Sequence, residues 1–369
     1  MHDRTPIAQA PPLPSPRGEI SAHVIDVLHG TKEPGSTPPP VDGRSLGDED
    51  SSLALYCLYE LHYRGFLGVD EDLEWNLGLL KLRSGLEWHL LDVLREDVPH
   101  ETVQGPVPDA LRALVDGADG RSLSGWLAEH GEDRHLVEQA VQRSAYQLKE
   151  ADPHSWALPR IAGAAKAALA RIQFDEYGEG VQRDMHSELF ALHLERMGLD
   201  PTYGAYLDVI PGTTLTTTNL VSLFGLHRRW RGALVGHLAM FEMASVPVMA
   251  NLATALRRLD YDDWTCLFYD VHVVADAEHQ TVAADELAGG LAEQEPKLAD
   301  DILWGARCLA HLEGLVTAKT LEAWERDATS LLEPVEQSPP PGRHDSRGTA
   351  DDPRLEPSGA ISRVAVRGR

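Results

Sequence analysis

The sequence predicts an all-α protein, a helical bundle flanked by proline-rich tails. Three observations lead there. Nearly every stretch between residues 51 and 333 repeats its apolar residues at helical spacing. No run of alternating β-branched residues is long enough to build a strand. No internal repeat appears at a solenoid period.

Residues 1–50 are rich in Pro, Gly, Ser and Asp, with Pro38-Pro39-Pro40 in the middle, and are expected to be a disordered tail carrying at most a short turn around Val24 to Leu28. Ser51-Ser52 offers a cap for a helix running to Tyr63, with Leu53, Leu55, Tyr56, Leu58 and Tyr59 as its apolar positions. A long helix follows over 71–95 and a short one over 122–129, completing an N-terminal helical extension (51–130). The main helical domain (131–333) begins with a helix over 133–150, and Pro153 restarts the chain into an Ala- and Leu-rich helix over 157–177. Further helices are expected at 185–197, 215–224, 231–249, 263–280, 284–291, 296–315 and 317–332. The Gly-, Thr- and Pro-rich connection holding Tyr203, Tyr206 and Asn219 reads as irregular and suited to line a pocket mouth. After Pro334 the chain stays polar to Arg369, a second expected disordered tail (334–369).

The chain has 369 residues, 43% of them hydrophobic and 25% charged, enough for one large domain or two modest ones. A net charge of -25 argues against nonspecific nucleic-acid or anionic-membrane binding, and Arg228-Arg229-Trp230-Arg231 is the one basic patch. Cys57, Cys266 and Cys308 form no C-x2-C pair, so neither a disulfide framework nor a thiolate zinc site is expected. The N-terminus lacks the apolar core of a signal peptide, and no apolar run suggests a membrane span. These features predict a cytoplasmic protein.

The chemistry concentrates on the segment from His272 to His279. On a helix, His272, Asp276 and His279 fall within a narrow arc of one face, in apolar surroundings. Two imidazoles and a carboxylate buried together need a hydrogen-bond network or a metal ion. Candidate partners are Glu150, Glu176 in Asp175-Glu176-Tyr177-Gly178-Glu179-Gly180, His186 in Met185-His186-Ser187-Glu188-Leu189-Phe190, and Glu242 between Phe241 and Met243. Each alone reads equally well as a solvated helix end, a surface pair or a hydrogen-bonded core acid. Together, carboxylates and imidazoles without thiolates suit iron or manganese better than structural zinc. The two Glu-x-x-His pairs of ferritin-like bundles are absent. Glu176 and His186 converge only if Gly178 and Gly180 break the helix between them.

These motifs, with the stretch from Ser222 to Met243, resemble the heme-oxygenase-like di-iron oxidases, also called iron-containing redox enzymes. The similarity covers roughly residues 145–296. It implies a heme-oxygenase-like helical bundle whose metal ligands fall on Glu176, His186, Glu242, His272, Asp276 and His279, with Glu150 as a further carboxylate beside a helix break. It implies two iron ions, O2 as co-substrate, a small organic substrate and an external reductant, with N-oxygenation, oxidative C–C cleavage or decarboxylation as outcomes. A homodimer is compatible with it. One division of the ligands gives His272 and Asp276 to one iron with Glu150 or Glu176, and His186 and His279 to the other, with Glu242 or Glu176 bridging.

The competing readings are a catalytically inactive metal- or ligand-binding protein of the same fold, and a cofactorless oxidase. Tyr177 reads as packing before ligand orientation or electron transfer. Arg228, Arg229 and Arg231 read as structural salt bridges before a substrate clamp, and His154, His227 and His237 as core or supporting histidines. Glu60, His62, Glu87 and His89 lack ligand spacing and read as ordinary polar groups. Phe190, Leu226 and Phe241 are hydrophobic positions that could face a substrate.

Overall fold

Helix starts in this chain are fixed by short polar side chains. Asp48 accepts the Ser51 amide at 2.9 Å, Asn76 accepts that of Gly78 at 2.9 Å, Ser122 that of Gly125 at 3.0 Å and Asp262 that of Thr265 at 2.9 Å. A computed structural model describes residues 10–41, 45–117 and 120–343, and among these every regular element is helical apart from one isolated bridge, Tyr261 to Arg343. The elements are α1 (Glu19–Leu28), α2 (Glu49–Glu60), α3 (Leu77–Asp97), α4 (Val107–Asp116), α5 (Leu123–His130), α6 (Asp133–Gln147), the single turn α7 (Asp152–Ser155), α8 (Gly163–Glu176), α9 (His186–Arg196), α10 (Gly212–Leu226), α11 (Arg231–Arg258), α12 (Asp263–Thr281), a π-helical stretch (Val282–Gly289), α13 (Gly290–Gln294) and α14 (Ala299–Glu325).

The 28-residue α11 runs through the middle. Helices α12 and α14 lie along it, and α4, α5 and the π-helical stretch cover much of the rest. Its pairing with α14 is close because each helix sets a glycine against the backbone of the other. A Cβ on Gly236 would lie 1.7 Å from the Ile302 carbonyl oxygen, and one on Gly305 would lie 2.1 Å from that of Ala233. Helix α11 is long and apolar enough by composition to cross a membrane, contrary to the expectation from sequence, but most of its apolar window is buried in the bundle.

The expected N-terminal tail is corrected by α1. Ile20, Val24, Val27 and Leu28 form a buried helical stripe, and the Asp50 carboxylate accepts the Ile20 and Ser21 amides at 3.0 and 2.7 Å. Residues 1–9 and 42–44 of that expectation lie outside the described residues. Side chains of α1, α2 and α3 join the same hydrophobic cluster as those of α8 to α14.

Other boundaries also shift. Asp48, not Ser51 or Ser52, caps α2; residues 71–75 form a 3-10 turn ahead of α3; α4 was not expected; and α8 starts six residues later than the sequence predicts. The segments expected at 296–315 and 317–332 form one helix, α14, which ends at Glu325. The early part of the expected C-terminal tail is pinned to the bundle, Ser338 and Gly342 donating their amides to the carbonyls of Gly198 and Arg196 at 3.0 and 2.8 Å. Residues 344–369 lie outside the described residues.

Candidate metal centre

Five segments bring the seven candidate ligands together. Glu150 sits in the turn after α6, just before Ala151 adopts a left-handed conformation at φ 71°. Glu176 is the last residue of α8 and His186 the first of α9. Between them the chain reverses at Gly178, φ 62°, where a Cβ would meet the Asp184 backbone at 2.5 Å. This glycine break lets the two side chains face each other, with His186 Nδ1 2.8 Å from Glu176 Oε2. Glu242 projects from the middle of α11, and α12 supplies His272, Asp276 and His279.

The seven residues fall into two groups. Glu150, Glu176, His186 and His272 place one ligand atom each within 4.8 Å of one another, as do Glu176, Glu242, Asp276 and His279. Glu176 belongs to both. All seven are between 2 and 7% exposed, so water contributes little to their solvation. His272 Nε2 lies 3.6 Å from Glu150, and His279 Nδ1 lies 3.3 Å from Glu242, 3.5 Å from Asp276 and 3.7 Å from Glu176. This grouping differs from the division suggested by the resemblance. His272 pairs with His186, their ring centroids 4.2 Å apart, and Asp276 pairs with His279. The reason is axial: two residues four apart share a helix face but differ by about 6 Å along the axis.

Neighbouring groups hold the ligands in place. His272 Nδ1 meets the Phe268 carbonyl at 2.7 Å, and His279 Nε2 meets Asp175 at 2.9 Å, so each imidazole turns its other nitrogen toward the cluster. The Ser245 hydroxyl donates to Asp276 Oδ2 at 2.5 Å, and the Gln147 amide nitrogen donates to Glu150 Oε1 at 2.6 Å. Sequence reasoning missed Asp175, Gln147 and Ser245. For Asp175 its adjacency to Glu176 was the available signal.

Without a metal the cluster holds protons. Burial pushes the Glu242 carboxyl up to about 8 and the Glu176 carboxyl up to about 7, and also raises Glu150. Burial, reinforced by His272, lowers His186 to about 3. For His272 burial works downward but is outweighed by Glu150 and the other nearby carboxylates, which raise it to about 10. For His279 burial is likewise outweighed, chiefly by the hydrogen bond to Asp175, and its pKa rises.

The donor set fits metal ions on two grounds. His186 Nδ1, His272 Nε2, His279 Nδ1 and Asp276 Oδ1 are buried and face the cluster without a hydrogen-bond partner. The four carboxylates, once ionised, also match the charge of two divalent cations, which removes the cost of burying them together. Oxygen and imidazole donors without thiolate suit iron or manganese.

Two cavities border the site. A small one of about 10 Å³, with room for about one water, is lined by Glu150, Glu176, Glu242, Tyr146 and His154 among others. A larger chamber of about 400 Å³ lies beyond the supporting residues, with Gln147, Ser245 and Phe268, which contact Glu150, Asp276 and His272, in its wall. Phe190 and Phe241 line it, whereas Leu226 is not in its wall.

The remaining residues singled out in the sequence have structural partners. Tyr177 donates to Asp152 at 2.9 Å and meets Ser155 at 2.9 Å, fastening α8 to the α7 turn. His154 and His237 bond each other at 3.0 Å behind the small cavity, and His227 bonds Glu87 at 2.9 Å. Arg231 pairs with Glu295 and Arg229 stacks on Trp88 and Trp230, consistent with structural roles. Glu60 pairs with Lys149 at 2.8 Å, His62 with Glu74 at 2.9 Å and Glu87 with His227 at 2.9 Å. His89 lines another cavity. Tyr203, Tyr206 and Asn219 are buried and bonded to Glu60, the Asp200 amide and the Ser52 carbonyl, and of the three Asn219 also lines the cavity that His89 borders. Cys57, Cys266 and Cys308 are free and buried.

With this geometry established, two comparisons bear on the chain. The family described as iron-containing redox enzymes matches residues 137–314, a span holding all seven clustered residues. The chain is 24% identical over 228 residues to the nitrosourea synthase of Streptomyces achromogenes subsp. streptozoticus, covering 58% of this chain and 46% of that protein. The chain thus spans about half the length of that relative.

Proposed function

Because residues 137–314 match the iron-containing redox enzyme family, we propose that this chain is an O2-dependent oxidase or oxygenase working at a two-iron centre on a small organic substrate. The observation that carries the reading is the convergence of four carboxylates and three imidazoles, with one nitrogen of each imidazole and one Asp276 oxygen buried without a hydrogen-bond partner. Glu150, Glu176, His186 and His272 would hold one iron, and Glu176, Glu242, Asp276 and His279 the other, with Glu176 shared. Bound iron(II) would supply electrons and open coordination positions for O2.

The chain's own residues prepare that chemistry. The Phe268 carbonyl and Asp175 fix which imidazole nitrogens face inward, and Ser245 and Gln147 orient Asp276 and Glu150. Burial of all seven groups excludes bulk water and limits side reactions. The Tyr146 hydroxyl, 3.4 Å from His154 Nδ1 beside the small cavity, offers a hydrogen bond close to the metal positions. A relative named for nitrosourea synthesis makes nitrogen-bearing molecules the first substrates to screen.

The test is iron stoichiometry after anaerobic loading with Fe(II), run beside His279→Ala and Glu242→Ala, followed by O2 uptake with a substrate panel. Two irons per chain, falling in both variants, are expected. Wild-type protein that takes up no iron above background would overturn the reading.

A further inference from the structure

The 400 Å³ chamber has a wall that speaks to its ligand. Phe190, Met240, Phe241, Met249, Leu252 and Leu309 make most of it apolar. Among the described residues its only full charges besides Arg121 are Arg143 and Glu313, and these are locked together. Arg143 Nη1 and Nη2 donate to the two Glu313 oxygens at 2.8 and 2.7 Å, a bidentate pair whose side chains are 25 and 29% exposed. Arg121, at the solvent end, is spent on Glu325.

From this arrangement we infer that the chamber binds an uncharged, largely apolar molecule rather than a carboxylate or an amine. The inference rests on the proposed function for what the ligand does there, since the chamber shares Gln147, Ser245 and Phe268 with the support of the metal ligands. A ligand carboxylate drawn to Arg143 meets the Glu313 carboxylate beside it, and a ligand ammonium drawn to Glu313 meets the guanidinium. Either ion leaves water for apolar walls without a free counter-charge, so its desolvation is not offset. A neutral hydroxyl or amide loses far less on transfer. It can use the N–H groups and lone pairs that the pair leaves over, or the nearby Gln139, while the rest of the molecule covers apolar wall.

The structure also says how to invert the preference. Glu313→Gln frees the guanidinium and should admit anions, and Arg143→Met frees the carboxylate and should admit cations. Nile red is the reporter, displaced from metal-free full-length protein at pH 7.5 by 1-decanol, decanoate or decylammonium. Wild type should release the dye to decanol at concentrations at least tenfold below those of either ion. Glu313→Gln should bind decanoate at least tenfold more tightly than wild type, with no gain for decylammonium, and Arg143→Met should show the reverse. Met249→Trp, which fills the chamber, should lose both dye and decanol while keeping its helical circular dichroism. The double variant Arg143→Met with Glu313→Leu guards against misfolding of the single ones and should retain the preference for decanol. Wild type binding either ion as tightly as decanol, or single variants that leave the ranking unchanged, would overturn the inference. Iron uptake is measured separately. Loss of the ranking with two irons bound removes only the substrate class, whereas an intact ranking without iron removes the oxygenase reading and leaves the chamber.

Discussion

Asp175 lies outside the metal cluster and touches it through a single bond, which makes it a clean probe of how the centre is built. Its carboxylate receives His279 Nε2 at 2.9 Å, and its side chain is 36% exposed while that of His279 is 2% exposed. Removing a carboxylate that orients a metal-bound histidine typically costs 10- to 100-fold in metal affinity. Partial exposure puts Asp175→Asn at the low end, because the amide oxygen still accepts the N–H and water already screens the lost charge. The expected loss is about tenfold, or about 1.4 kcal/mol. Ser245→Ala removes a donor from Asp276, which is 2% exposed and has no water to replace it, so a loss of about 1.5–3 kcal/mol is expected there. Anaerobic Fe(II) titration against a chromogenic chelator resolves the two steps. Only the step belonging to Glu242, Asp276 and His279 should weaken, and the step belonging to Glu150, His186 and His272 should keep its midpoint. Asp175→Asn binding both irons as wild type does, or weakening both steps equally, would refute the two-group reading.

Further predictions concern stability and pH. Gly236→Ala forces a methyl to 1.7 Å from the Ile302 carbonyl, so α11 and α14 must separate. Destabilisation of about 3 kcal/mol or more is expected, seen by calorimetry as a melting temperature lower by about 6 °C or more, and an unchanged one would contradict the close contact. Lys149→Met leaves Glu60 buried without its cation and should cost about 3–5 kcal/mol in a urea titration, much of it restored by adding Glu60→Leu. In the metal-free protein Glu242 and His272 have folded pKa values raised to about 8 and about 10. The unfolded chain therefore releases those protons first, and the stability they confer is complete at low pH and lost as pH rises through those values. His186, His154 and His237 are shifted downward by burial and act below that window. The metal-free melting temperature should fall from pH 7 to 9, and Fe(II) affinity should rise over the same range as bound protons are displaced. A metal-free melting temperature that climbs over this window would show the protons to be elsewhere.

How much of this was legible in the sequence depends on what each signal encodes. The seven residues could be named because residue type and helical face are one-dimensional facts, and the structure gathers all of them. Their division between two groups reads differently in the structure because a helical wheel discards axial rise, so His272 and Asp276 looked like partners although they fall in different groups. Helix α1 was hidden by averaging composition over fifty residues. Its i, i+4, i+7, i+8 stripe of Ile20, Val24, Val27 and Leu28 is plain once that window is read alone. The Gly-, Thr- and Pro-rich composition up to Asn219 argued for irregular chain, although a helix was expected over 215–224, and β-branched threonine is a poor helix former. Burial overrides that preference. Thr216 and Thr217 return their hydroxyls to the carbonyls of Gly212 and Thr214 at 2.8 Å each, so the helix keeps its polar atoms satisfied inside the core.

The groups that no sequence pattern revealed share one property: each acts through another residue. Asp175, Ser245 and Gln147 do nothing recognisable alone, and their identity is dictated by the atom they must face. Ser245 shows why this matters. It stands two residues before Pro247, whose ring removes a backbone N–H from the middle of α11, and its hydroxyl reaches both Asp276 and the Glu242 carbonyl. The same helix thus carries a candidate ligand, the support for a ligand on α12, and apolar wall of the chamber at Met240, Phe241 and Met249. A change in the chamber at α11 is therefore felt at the metal-facing groups within about one helical turn. If the proposed function holds, occupancy of the chamber and geometry of the metal centre are coupled through α11. A ligand that displaces Nile red should then also shift the Fe(II) midpoint of the Glu242, Asp276 and His279 step, and the two binding events should change each other's affinity by the same factor.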